Sequence, residues 1–150
     1  MIIYRLVNEA YKDDISGTGS FLYGGRWNSK GSAALYAAGH ISLAVLEIVV
    51  NYNRASVSIR PSFHLMELSV PDGPLLQIKN SILKKDWFED WELTCFLGDQ
   101  FLKNNTHLIL KVPSAVVPEE DNYMLNPLHK DFKKIEIKSS KPYGLDNRLF

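Results

Sequence analysis

Cysteine is nearly absent: Cys95 stands alone in the chain. An intramolecular disulfide is therefore excluded, and a cysteine-based metal site has almost no support. A chain without structural disulfides suits a reducing compartment, and a cytoplasmic location is expected. Long apolar runs are missing too. The most apolar stretch, Ile41 to Val50 (ISLAVLEIVV), is interrupted by Glu47 and falls well short of the ~20 residues a bilayer span needs. The first residues, MIIYRLVNEAYKDD, carry Arg5 inside a short apolar run and lack the apolar core of a signal peptide. No membrane contact is expected. Net charge is absent as well, with 17 Lys plus Arg against 17 Asp plus Glu. Lys84–Lys85 and Lys133–Lys134 are isolated pairs, so the clustered footprint of a phosphate-backbone binder is missing and no direct nucleic acid binding is expected. His40, His64, His107 and His129 show neither H-E-x-x-H nor any paired ligand spacing, so no metal is expected. There is no P-loop, no G-x-G-x-x-G fingerprint and no G-x-S-x-G elbow.

What remains is an ordinary globular balance, 45% apolar and 23% charged over 150 residues, which points to a single domain, 1–150. Its size lets it bury a core unaided. Ile2 to Val7 reads as a strand, and Asp13 to Gly25 (DDISGTGSFLYGG) as a long loop. Loops of that length in small domains are often functional. Ala33 to Ala37 is a short strand, and Ser42 caps a helix running to about Tyr52. Ser62 to Val70 alternates as a strand and is closed by the turn Pro71-Asp72-Gly73-Pro74. Asp86 to Leu102 reads as one or two helices interrupted near Gly98, and His107 to Val112 as a strand stopped by Pro113. Phe132 to Ile137 alternates loosely, and a last strand is expected within Tyr143 to Phe150. This mixed order predicts an α+β fold rather than a regular βαβ alternation.

Glu47 is the most informative single residue. Apolar residues fall on every side of its helix, which predicts burial nearly all round. A carboxylate there needs a cation, hydrogen bonds or protonation, or else a narrow exposed stripe. Such groups gather at functional sites, and structural ion pairs produce the same pattern. Arg26 lies in Gly24-Gly25-Arg26-Trp27-Asn28, where two glycines permit close backbone approach. A guanidinium held there could grip a pyrophosphate, or simply cover a hairpin. Tyr36, in SAALYAA, has mostly small neighbours, so its ring could stack on a planar heterocycle or pack in the core. Ser114 follows Pro113 at a strand end, a place suited to a site and equally to a turn.

Taken in order, these segments resemble the RES-domain family, toxins of bacterial toxin–antitoxin pairs. The resemblance rests on Tyr4-Arg5, SGTG at 16–19, GGRWNSKG at 24–31, Leu35-Tyr36, LAVLE at 43–47, KVPSAVVP at 111–118, NYMLNPLH at 122–129 and DNRLF at 146–150. Lys130 stands where the family often carries proline. The resemblance implies an ADP-ribosyltransferase-like mixed α/β core with small antiparallel sheets around an NAD cleft. It implies NAD as substrate, cleaved at the nicotinamide–ribose bond by hydrolysis or phosphorolysis. Transfer of ADP-ribose to a protein from the same cleft is the first alternative, and a non-catalytic nucleotide- or partner-binding module the second. By this resemblance Glu47 stabilises the positive ribose, with Arg26 opposite it. Arg26 and Arg5 hold the pyrophosphate, Tyr36 stacks on nicotinamide, and Ser114 positions the cofactor. A cognate Xre-type helix-turn-helix antitoxin is the implied partner, and a homodimer the implied self-association.

Overall fold

The computed structural model describes residues 1–54 and 61–150. Seven strands form one sheet: β1 Ile2–Asn8, β2 Leu35–Ala38, β3 Phe63–Ser69, β4 Leu76–Gln77, β5 Ile109–Pro113, β6 Asp121–Leu125 and β7 Glu136–Tyr143. Their spatial order is β4-β5-β6-β2-β1-β3-β7. Three helices complete the α+β fold: α1 Thr18–Tyr23, α2 Ile41–Arg54 and α3 Trp91–Asn104. The expected small antiparallel sheets are thus joined edge to edge, and the sheet is mixed because β4 runs parallel to β5.

The join is narrow. β1 and β2 share one described register pair, Tyr4 with Ala38, whereas β1 pairs with β3 along its whole length, from Ile2–Ser69 to Asn8–Phe63. The next positions, Arg5 and Ala37, pair with β3 and β6 instead of with each other. The sheet therefore behaves as two plates, β1-β3-β7 and β4-β5-β6-β2, meeting at a seam flanked by Arg5 and Tyr36.

Side-chain alternation separates the two faces of this sheet. Ile3, Val7, Leu35, Ala37, Met66, Leu68 and Leu125 fill the core on one face. On the other, Leu6, Ala38, Phe63 and Leu65 pack against Leu43 and Ala44 of α2, and Trp27, Trp87, Leu110, Val112 and Met124 pack with Phe101 of α3. α2 is buried along one stripe only, for Ile41 and Leu46 remain 38% and 37% exposed. The near-complete burial read from its apolar run is corrected by the layering. A helix laid on one face of a single sheet buries the side turned to that sheet.

Several local expectations are also corrected. The 13–25 segment is not all loop: α1 starts after Gly17 (φ 77°) and ends at Gly24 (φ 73°), both in the positive-φ region where glycine carries no Cβ penalty. α3 runs through Gly98 without a break. An added Cβ at Gly98 would fall 1.7 Å from the Trp27 carbonyl oxygen, so this glycine permits close contact rather than interrupting the helix. The strand expected after Tyr143 is replaced by a short 3-10 turn at Asn147–Leu149, capped by Asp146, whose carboxylate accepts from the Arg148 backbone N–H and side chain. Local capping outcompetes strand pairing there, since β7 already ends at Tyr143.

Candidate active site

The site is built on the face that carries α2 and α3. Ala38 of β2 lies opposite Asn122 of β6, and Val112 of β5 lies opposite Asn122 on its other side. Ser114 follows directly at the β5 end and is fully buried. Above them, Glu47 projects from the middle of α2, half-buried. Its Oε1 accepts two hydrogen bonds, from Asn122 Nδ2 at 2.6 Å and Ser114 Oγ at 2.9 Å. Oε2 accepts none from the described residues.

The Ser114 hydroxyl is fully committed. It donates to Glu47 and accepts from the backbone N–H groups of Val116 and Val117 at 3.0 and 3.1 Å. A hydroxyl offers one donor and two acceptor sites, so nothing is left for a ligand. Ser114 therefore fixes the turn after β5 and aims Glu47. The carboxylate that looked anomalous on an apolar helix is satisfied by neutral donors. Asn122 opens the NYMLNPLH segment at 122–129 without a chemical signal of its own, and its register beside Ala38 is what brings it to Glu47.

Tyr36 and Arg26 form the second half. Tyr36 lies two residues from Ala38 on the same strand face, roughly 7 Å along β2. Its hydroxyl donates to Asn28 Oδ1 at 2.7 Å and accepts from the Trp27 backbone N–H at 3.2 Å. Burial pushes the phenol far above the usual tyrosine range, so it stays neutral. Buried Asn28 completes the turn by donating to the carbonyls of Ser20, Ser29 and Ser32. Gly25 is required beside it, because a Cβ there would sit 2.9 Å from the Tyr36 ring and hydroxyl. The Gly-Gly-Arg turn is thus pinned to Tyr36 from inside, leaving Arg26 at its tip. Arg26 donates to the Phe88 carbonyl at 2.6 Å and lies over the Trp91 ring, 4.5 Å from its centroid. The contacts described for Arg26 thus lie with the 88–91 segment, while those of Glu47 lie with β5 and β6. Cys95 packs under the same turn, its thiol 3.5 and 3.6 Å from the carbonyls of Gly25 and Arg26, with burial pushing its pKa up.

Arg5 stands at the seam, alternating onto the strand face of Ile3 and Val7. Its guanidinium donates to the Asp14 carbonyl at 3.2 Å, and burial holds its pKa down at about 10, with nearby Asp14 offsetting this in part. Thus Ser114 and Glu47 are joined directly, Tyr36 and Arg26 are joined through the 25–28 turn, and Arg5 approaches from the seam without a described bond to any of the four. A shallow acidic depression lined by Lys84, Asp86, Glu89, Asp90, Trp91 and Glu92 lies next to Arg26 and away from Glu47. Among the described residues no three His, Cys, Asp or Glu side chains converge as a metal would require. No described helix is long and apolar enough to cross a membrane.

Comparison with known proteins identifies the family of the chain. The chain is 37% identical to a protein called Toxin Res from Photorhabdus laumondii, covering 99% of this chain and 97% of that one. It is 34% identical to a Prs ADP-ribosylating toxin from a Sphingobium species, covering 91% and 87%. Among solved structures, the M. tuberculosis MbcT–MbcA toxin–antitoxin complex contains a chain of the same fold, with TM-score 0.78 at 19% identity over 95% of this chain and 83% of that one. The RES domain matches residues 2–146. With nearly its whole length matched, and with relatives named as toxins, the chain belongs to the RES domain family.

Proposed function

We propose that this protein is the toxin of a toxin–antitoxin pair and cleaves NAD at the nicotinamide–ribose bond. One observation carries the reading. Glu47 is held by one oxygen through Ser114 and Asn122, while its other oxygen takes no bond from the described residues, on the same sheet face as Tyr36. Cleavage leaves the bonding electron pair on nicotinamide, which departs neutral, and positive charge develops on the ribose. A preorganised carboxylate beside that carbon stabilises the charge as it forms. Glu47 Oε2 supplies it, or accepts from a ribose hydroxyl. Tyr36, neutral at any physiological pH, offers a ring face to nicotinamide and holds the turn that carries Arg26. Arg26 takes the pyrophosphate from this face, and Arg5 meets it through the seam from the other.

The acceptor is water or phosphate in this reading, so NAD is consumed. A protein acceptor is the second reading, favoured by the 34% identical relative named as an ADP-ribosylating toxin. The partner is an antitoxin, as in the complex that contains the structural neighbour, and we take it to be of the Xre helix-turn-helix type. Incubating the purified protein with NAD labelled in its adenosine half separates the outcomes. Free ADP-ribose marks hydrolysis, ADP-ribose 1″-phosphate formed only with added phosphate marks phosphorolysis, and label on protein marks transfer. If no nicotinamide is released under any condition, the proposal is wrong.

A further inference from the structure

We infer that Asn122 is a positioning residue for the reaction: its amide selects which oxygen of Glu47 faces the substrate. This rests on the NAD-cleaving reading above. Three observations carry it. The Asn122 Nδ2 to Glu47 Oε1 bond is, at 2.6 Å, the shorter of the two that Glu47 accepts. Both donors choose the same oxygen, so the carboxylate plane is fixed and Oε2 is presented alone. Asn122 is itself fixed between two neighbours, opposite Ala38 on β2 and Val112 on β5, so its amide cannot drift with a loop. Ser114 and Asn122 do different work. The Ser114 hydroxyl also caps two backbone N–H groups and so is tied to the fold. The Asn122 side chain has Glu47 as its one described hydrogen-bond partner.

On the β5–β6 hairpin, Lys111 and Asp121 pair at 3.1 Å on the opposite face of the sheet, and the Glu120 backbone carbonyl accepts from Ser114 N–H. Asn122 and Ser114 are therefore the donors that hold Glu47, and losing one leaves the carboxylate free to rotate about its last bonds. Misorientation of a catalytic group by about 1 Å costs on the order of 100-fold in rate.

The test uses the purified protein, nicotinamide release as the readout, and three variants. Asn122→Ala should lower kcat about 10- to 100-fold while KM for NAD stays within about two-fold, since the amide does not touch substrate. Asn122→Asp is isosteric and reads the same contact should the alanine variant fold poorly. Two carboxyls this close do not both ionise readily, so they hold one proton to unusually high pH. With that proton shared, the introduced carboxyl donates to Oε1 as the amide did; without it, the two charges repel. The Asp variant should therefore recover activity as pH falls below about 6, relative to the unmodified protein, and lose it as pH rises. A full kcat in the alanine variant, a loss confined to KM, or an Asp variant whose pH profile parallels that of the unmodified protein would each overturn the inference. Glu47→Ala separates the two levels. If that variant turns over NAD normally, the functional reading fails and the role of Asn122 fails with it. If it is dead while Asn122→Ala is fully active, the role of Asn122 alone fails.

Discussion

Gly98→Ala probes how tightly α3 presses on the turn that carries Arg26. The added Cβ would lie 1.7 Å from the Trp27 carbonyl oxygen and 2.7 Å from its carbonyl carbon. Ordinary contact begins at 3.4 Å, so helix or turn must yield by 3.4 − 1.7, about 1.7 Å. Both partners are backbone, and no side chain can rotate aside. Helix propensity alone would favour alanine by about 1 kcal/mol. Overpacking of a close-packed interior costs roughly 1–3 kcal/mol, more when backbone must move. A net loss of about 2 kcal/mol is expected, which lowers Tm by about 4–8 °C in a chain of this length. Thermal unfolding followed by circular dichroism measures it. Tryptophan fluorescence adds a local probe, because the Trp27 and Trp87 rings are 5.6 Å apart. Gly19→Ala is the matched control: it lies in α1 with nothing within 4 Å of its Cβ, and should gain about 0.4–1 kcal/mol. A Gly98→Ala protein as stable as the unmodified one would refute the argument that the helix and turn are locked together. Nicotinamide release well below the variant's Tm should also fall, because Arg26 adjoins the displaced Trp27.

Glu47→Gln keeps the shape of the side chain and removes its charge, and should cut nicotinamide release by at least about 100-fold at saturating NAD. Ser114→Ala leaves the Val116 and Val117 N–H groups without their partner, so both stability, by about 1–3 kcal/mol in a denaturant titration, and activity should drop. Tyr36→Phe removes the donor to buried Asn28 and should cost about 1–2 kcal/mol while keeping the ring; retained turnover would assign Tyr36's part to the ring rather than the hydroxyl. The same variant tests a pH effect. The folded phenol keeps its proton above the pH, about 10, at which the unfolded chain releases it, so the folded state binds more protons and this contribution to stability is lost as pH rises beyond about 10. Comparing urea midpoints at pH 9 and 11 should show a smaller alkaline loss in the Phe variant.

Strong local patterns carried most of the fold. β1, α2, β3 and β5 lie within a few residues of where apolar periodicity put them, although α2 begins at Ile41, so Ser42 lies inside the helix instead of capping it. The elements that escaped are those whose pattern is set by partners. α1 exposes Phe21, Leu22 and Tyr23, so it shows no core-facing stripe, and its limits depend on two positive-φ glycines. β7 carries Lys138, Lys141 and Pro142 at the sheet edge, where no strict alternation is demanded because none of its residues is buried. Glu47 was legible as a charge in an apolar helix, but its partners were not. Asn122 lies 75 positions away, and cross-strand register is a property of the assembled sheet. Arg26 and Tyr36 were legible as a pair of motifs. That Tyr36 holds the Arg26 turn from below depends on the turn folding back over β2, which neither motif encodes alone.

The single Tyr4–Ala38 pair has a mechanical consequence. α2 rests on β1 and β2, at the joint, while its carboxylate is pinned to β5 and β6 on one plate only. The helix therefore bridges the joint while the carboxylate at its middle is tied to one side of it. How the two halves of the sheet meet thus fixes where Glu47 Oε2 stands, and in the proposed reading the geometry of the joint and the geometry of the reaction are one quantity.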